Sequence, residues 1–134
     1  MGGLARLKLL LDTHIWLWSV LEPHRIHRNL ARELSSEANE CWISPISIWE
    51  ALTLQRKGRV QMEGDLRTWL ADSLKNVREA PLTNEIAIEA QFLNLHGNPA
   101  DRFLAATAKV LDLTLVTADK NLLGLGDIAT LANR

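Results

Sequence analysis

The chain is short of the residues that announce the commoner chemistries. A single cysteine, Cys41, among 134 residues excludes an intrachain disulfide and a four-cysteine zinc site. No Gly-rich phosphate loop and no nucleophile elbow is present, so nucleotide cradling and serine hydrolysis have no carrier. His14, His24, His27 and His96 include no pair at i and i+4 on one helix, and their spacing does not suit zinc. No apolar run approaches the roughly 20 residues that span a bilayer. Leu7 to Leu11 is too short for a secretory signal and is broken by Lys8. The start Met1-Gly2-Gly3 has Arg6 where a myristoylation signal needs Ser or Thr. Charge of one sign is also scarce: the net charge of −1 excludes a histone-like basic binder. It leaves room for a nucleic-acid enzyme, because an acidic site subtracts charge that local basic patches restore. A soluble cytoplasmic protein with no membrane association is expected.

The apolar fraction of 47% supports a real core, and without linker, repeat or low-complexity tract one domain over residues 1–134 is expected. Strand and helix signals alternate. A strand at Lys8 to Leu11 precedes a helix from His14 to Leu21; Pro23 breaks it, and a second helix is predicted from Ile26 to Ser36. A strand at Cys41 to Ile43 meets Ser44 as N-cap and Pro45 at the first helical position. That helix stops at Gly58, after the basic Arg56 and Lys57. Further helices are predicted over Asp65 to Lys75, Asn84 to Leu95 (capped by Thr83) and Asp101 to Leu111, with strands at Val77 to Ala80 and Thr114 to Thr117. Such alternation implies an α/β fold: a parallel sheet of four to five strands covered by helices on both faces, in three layers.

Four acids sit in apolar settings within that pattern. Asp12 ends the run Leu9-Leu10-Leu11. Glu50 shares a helical stripe with Ile46, Trp49, Thr53 and Leu54. Asp101 opens a helix whose inner face is Leu104, Ala105, Ala108 and Leu111. Asp119 follows Leu115-Val116-Thr117. A carboxylate in apolar surroundings is costly unless it is paired or holds a metal. Three have a bland explanation, Asp12 as an N-cap, Asp101 as a complement to the helix dipole and Asp119 as a turn residue; Glu50, on its apolar stripe, is harder to dismiss. Their shared placement favours the sharper one, because Asp12 and Asp119 lie past the carboxyl ends of strands, where open parallel sheets bind ligands. A divalent metal site, and hence a hydrolase, follows as the leading expectation.

Other features are weaker. Cys41 reads as a small core residue. Trp16 and Trp18 are two positions apart on a helix and point about 200° apart, so one is expected in the core and the other at a surface. Arg25, Arg28 and Arg32 form one basic helical stripe, and Arg56-Lys57-Gly58-Arg59 is a second cluster that also reads as a plain basic helix end. Haloacid-dehalogenase-type phosphatases need a second Asp two residues after the first, where this chain has His14. A phosphate-accepting signalling domain of flavodoxin-like type lacks its paired acids here.

Four segments in order resemble the PIN-domain family, and more closely the VapC-type toxins of toxin–antitoxin pairs: Leu9-Leu10-Leu11-Asp12-Thr13-His14, Ser44-Pro45-Ile46-Ser47-Ile48-Trp49-Glu50, Asn98-Pro99-Ala100-Asp101-Arg102 and Leu115-Val116-Thr117-Ala118-Asp119. The resemblance covers nearly the whole chain. It implies an endoribonuclease centre dependent on Mg²⁺ or Mn²⁺, with catalytic and metal-ligating acids at Asp12, Glu50, Asp101 and Asp119 and a supporting hydroxyl at Thr117. Relatives often carry an acid just before the Pro of the third motif, where this chain has Asn98. RNA is the implied substrate, held by Arg25, Arg28 and Arg32 or by Arg56, Lys57 and Arg59. The implied partner is an antitoxin, and the surplus of large apolar side chains near the first helices (Trp16, Trp18, Leu21, Leu30, Leu34, Trp49) predicts a groove for an amphipathic antitoxin helix. A homodimer through the Asn84 to Leu95 and Asp101 to Leu111 helices is also expected.

Overall fold

The computed structural model describes residues 6–95 and 97–134; the Met1-Gly2-Gly3 start and His96 lie outside the described residues. The elements run β1 (Lys8–Leu11), α1 (Thr13–Leu21), a 3-10 turn (Pro23–Arg25), α2 (Arg28–Ser35), β2 (Glu40–Ile43) and α3 (Pro45–Arg56). After them come α4 (Leu66–Ser73), β3 (Arg78–Glu79), α5 (Asn84–Phe92), α6 (Pro99–Leu111), β4 (Thr114–Thr117), α7 (Lys120–Leu123) and β5 (Thr130–Ala132). The strands make one sheet in the order β3-β2-β1-β4-β5, and each neighbouring pair is parallel. The chain builds outward from β1 first on one side and then, from β4, on the other. The junction of β1 and β4 is therefore the point where the strand order reverses, the place where a parallel sheet opens a crevice at its carboxyl edge.

Alternation along β1 and β4 divides the core. Leu10 and Leu115, paired in register, face the layer of α5 and α6 with Ile86, Leu104, Ala105 and Ala108. Leu9, Leu11 and Val116 face the layer of α1, α2 and α3 with Ile15, Trp16, Leu30 and Ala51. Both faces are apolar because helices cover both, so these strands read as continuous hydrophobic runs.

Local signals set most boundaries. Ser44 Oγ accepts from the Ile46 amide at 3.1 Å, and Pro45 fills the first position of α3. That helix closes with Gly58 at φ +75, where the Gly58 amide reaches Gln55 and the Arg59 amide reaches Leu54, the pairing of a Schellman stop. Two expectations need correction. The second helix begins at Arg28 rather than Ile26: Ile26 is extended and His27 serves as cap, its Nδ1 accepting from the Asn29 amide at 3.2 Å. The sequence reading also missed α7 and β5, which are four and three residues long. Segments that short carry no usable periodicity; β5 exists through its parallel pairing with β4, and α7 packs against β5. No helix among the described residues is long and apolar enough to cross a membrane.

Candidate metal centre

Asp12 reaches the carboxyl edge of the sheet because its own amide still belongs to the ladder, donating to the Val116 carbonyl at 2.9 Å. It occupies the N-cap position of α1 but makes no side-chain cap. Its Oδ2 instead accepts from the Thr117 hydroxyl at 2.7 Å, and both residues are buried. The same Thr117 oxygen accepts from the Asp119 amide at 3.0 Å. One hydroxyl thus joins the end of β1 to the loop after β4, and its proton points at Asp12. Asp119 does cap, with Oδ1 accepting from the Asn121 amide at 2.8 Å, so for this residue the turn role and the cavity position hold together.

The other two acids come from the helices that follow the edge. Glu50 lies on α3, and its Oε2 accepts from Asn98 Nδ2 at 2.9 Å. Asn98 Oδ1 accepts from the Ala100 amide at 3.0 Å, capping α6. The helix therefore starts at Pro99, and Asp101 stands in its first turn rather than at its opening. Arg102 donates from Nε to the Ala90 carbonyl at 3.1 Å and from Nη2 to the Gln91 carbonyl at 3.2 Å, fixing the start of α6 against the end of α5. Thr13 Oγ1 donates to Ser47 Oγ at 2.9 Å in the interior, which locks α1 to α3 and so Asp12 to Glu50.

These segments enclose a cavity of about 400 Å³ lined by Asp12, Glu50, Asp101 and Asp119 together with His14, Trp18, Asn98 and Ala118. No Lys or Arg is among the described residues that line it. Burial, followed by the charges of Asp12, Asp119 and Glu50, pushes the Asp101 carboxyl up to about 7. Burial also raises Asp12, against the opposing pull of the Thr117 hydroxyl, the Thr13 amide and His14. An all-oxygen acidic set suits a hard divalent ion such as Mg²⁺ or Mn²⁺. Among the described residues, no three His, Cys, Asp or Glu side chains stand close enough to ligate one ion together. The carboxylates line the walls, so an ion would be held by one or two of them and through water, the manner in which Mg²⁺ is commonly bound.

The remaining expected site residues scatter. Trp16 is 2% exposed and packs in the core, where its ring meets Trp69 with centroids 5.9 Å apart; its edge borders an apolar cleft of about 320 Å³ with Val20, Ile26 and Leu34, which shares no lining residue with the acid cavity. Its indole N–H is buried with no partner, a cost of about 1–3 kcal/mol that burial of the large ring offsets. Trp18 is the member of the pair that emerges, lining the acid cavity and a neighbouring cleft of about 780 Å³ with Leu21, Leu54 and Trp69. Leu30 is buried in the core, and Leu34 lies against it. Trp49 is 62% exposed and lines neither cavity. Arg25 and Arg59 border the cleft, whereas Arg28, Arg32, Arg56 and Lys57 are exposed elsewhere. Cys41 is half-buried, and its thiol donates to the Leu34 carbonyl at 3.7 Å.

Sequence reasoning missed the work of Asn98, Arg102 and the Thr13–Ser47 pair. Asn before Pro is an N-cap signal that was available; the partners across the fold were not.

The PIN domain family model matches residues 9–127. Ribonuclease VapC22 from Mycobacterium tuberculosis is 33% identical over 116 residues, covering 85% of this chain and 88% of that protein. Among solved structures, VapBC2 from Rickettsia felis bound to a DNA fragment from its promoter superposes with a TM-score of 0.72 at 18% identity, covering 94% of this chain and 98% of that one. FitAcB from Neisseria gonorrhoeae gives 0.60 at 23% identity, covering 92% and 96%. At such identities the structures establish the fold. The family match and the VapC22 relative extend over most of the chain, which thus belongs to the PIN domain family.

Proposed function

We propose that this protein is a divalent-metal-dependent endoribonuclease and the toxin half of a toxin–antitoxin pair. The observation that carries this reading is the cavity at the β1/β4 junction, walled by four carboxylates from four separate segments. The name of its relative, Ribonuclease VapC22, supports the substrate class. Asp12, Glu50, Asp101 and Asp119 form its catalytic set, of which one or two would bind an ion directly and the others through its waters, and Thr117 positions the Asp12 carboxylate. Bound there, Mg²⁺ or Mn²⁺ supplies an acidified water and charge neutralisation at the phosphodiester. The chain's own part is to hold Asp12 through Thr117, to hold Glu50 through Asn98, and to keep α1, α3 and α6 fixed around the substrate phosphate.

An antitoxin is the expected partner. Solved relatives in fold include a toxin–antitoxin complex from Klebsiella pneumoniae, with a TM-score of 0.64. The cleft bordered by Leu17, Trp18, Leu21, Leu54 and Trp69 opens beside the acid cavity and suits the apolar face of an amphipathic helix. A basic side chain from that partner would pair with the carboxylates. On the outer side of α5, Ile88 is 60% and Phe92 79% exposed, a face suited to a symmetric dimer.

The experiment that tests this incubates purified protein with labelled RNA, with and without Mn²⁺ and with excess chelator. Cleavage restored by metal and abolished in Asp12→Asn is the expected result; intact RNA under all conditions would leave a binding domain without nuclease activity.

A further inference from the structure

Trp18 on α1 and Ala118, just past β4, line the acid cavity, and both also line a second cavity of about 440 Å³. Its charge is opposite. Arg25, Lys120 and Arg134 line it with His24, and no Asp or Glu is among the described residues that do. The walls come from the 3-10 turn, the start of α7 and the chain beyond β5. Asn133 ties the first to the last: its Oδ1 accepts from the His27 amide at 2.8 Å, and its Nδ2 donates to the Arg25 carbonyl at 2.9 Å. The backbone that carries Arg25 is thus tied to the segment that carries Arg134.

Flat groups connect the two cavities. The Arg25 guanidinium lies over the Trp18 ring, 4.3 Å from its centroid, and the His14 ring is 6.0 Å from Trp18 at 54°. Arg25 also meets Glu22 at 3.6 Å, with both side chains about half exposed. An exposed pair of this kind contributes little, which leaves the guanidinium free to take a phosphate in bidentate fashion.

We propose that this second cavity is a strand subsite, binding single-stranded RNA next to the scissile bond, with phosphate against Lys120, Arg25 and Arg134 and a base on the aromatic run at Trp18. That the strand is RNA rests on the nuclease reading above; the subsite itself rests on the cavity. An acidic catalytic cavity repels a polyanion, and a net charge of −1 provides no general attraction, so capture needs local cations close to the site. Single-stranded substrate follows from the aromatic surface, because a duplex keeps its bases stacked on one another and offers only backbone and groove edges.

Anisotropy of a short labelled single-stranded RNA, titrated with the full-length Asp12→Asn chain at several salt concentrations, tests the subsite. Lys120→Glu should weaken binding about tenfold and flatten the salt dependence by about 0.7 in log–log slope for each phosphate no longer neutralised. Trp18→Ala should weaken binding by a similar factor without changing that slope, while Trp18→Phe retains it; melting curves check that each variant folds. Lys120→Glu and Arg134→Glu binding like the parent, or a duplex competing as well as the single strand, would overturn the subsite. So would a loss confined to antitoxin binding, which would give the cavity to a protein partner. If the unmutated Asp12 chain cuts RNA and Lys120→Glu in that background binds and cuts equally well, the subsite fails and the nuclease reading stands. If no RNA is cut yet binding depends on Lys120 and Trp18, the nuclease reading fails and the subsite stands.

Discussion

The Thr117 hydroxyl donates to Asp12 at 2.7 Å and accepts the Asp119 amide at 3.0 Å, so two carboxylate-bearing segments 107 positions apart in the chain (119 − 12) share one buried oxygen. Replacing Thr117 by Val removes both links and leaves Asp12 without its buried donor. Metal affinity and cleavage should fall roughly 10- to 100-fold, measured by Mn²⁺ titration calorimetry and by RNA cleavage. Thr117→Ser, which keeps the hydroxyl, should restore most of both.

Asp101 makes the metal-free protein sensitive to pH. Its carboxyl is pushed from 3.8 up to about 7 by burial and by Asp12, Asp119 and Glu50, so the folded state favours the protonated form. Its contribution to stability is complete below the unfolded value and is lost as pH rises through about 7. In chelator, Tm should therefore drop between pH 5 and 8 on this account, and the drop should shrink in Asp101→Asn. The same variant should lose RNA cleavage in Mn²⁺. A wild-type rate would remove Asp101 from the catalytic set.

Asn98→Asp isolates charge from structure. Asp caps a helix as well as Asn, so α6 should start unchanged. The amide donor to Glu50 is replaced by another carboxylate, adding a like charge to the cavity. Metal-free Tm should fall, while Mn²⁺ affinity should rise by about an order of magnitude. Calorimetry would also reveal any added ion in the stoichiometry.

If α5 presents a dimer face, Phe92→Arg should convert the protein to a monomer by sedimentation at micromolar concentration, with Tm nearly unchanged, because Phe92 is 79% exposed in the single chain. A wild-type protein that already sediments as a monomer would remove this dimer.

Core substitutions offer a control on the fold. Leu115 is fully buried between β1 and the α5–α6 layer, and Leu115→Ala should cost about 2–5 kcal/mol, read by chemical denaturation.

Much of the site was legible because its carriers are marked locally. Asp12 and Asp119 follow apolar strands, Ser44-Pro45 and Asn98-Pro99 open helices, and each signal spans only a few residues. Alternation of strands and helices was enough to imply a parallel sheet, whose carboxyl edge collects the acids. The sequence alone therefore determined the elements other than the short α7 and β5, the two-sided burial of β1 and β4, and the four carboxylates at one edge.

The tertiary structure decided what depends on the distance between segments. Trp16 and Trp18 are equivalent in the sequence; the packing of α4 through Trp69 puts Trp16 inside and leaves Trp18 at the junction of the cavities. The basic stripe of Arg25, Arg28 and Arg32 divides in the same way, because the helix starts only at Arg28 and Arg25 lies in the preceding 3-10 turn over Trp18. Glu50 finds Asn98, Thr13 finds Ser47, and Lys120 and Arg134 come to line one cavity. Periodicity and capping are properties of neighbours along the chain, whereas the direction of a hydroxyl proton and the sign of a cavity's charge are set by strand order. That order is fixed by parallel pairing of β1 with β4, across more than 100 residues, and no local pattern encodes it.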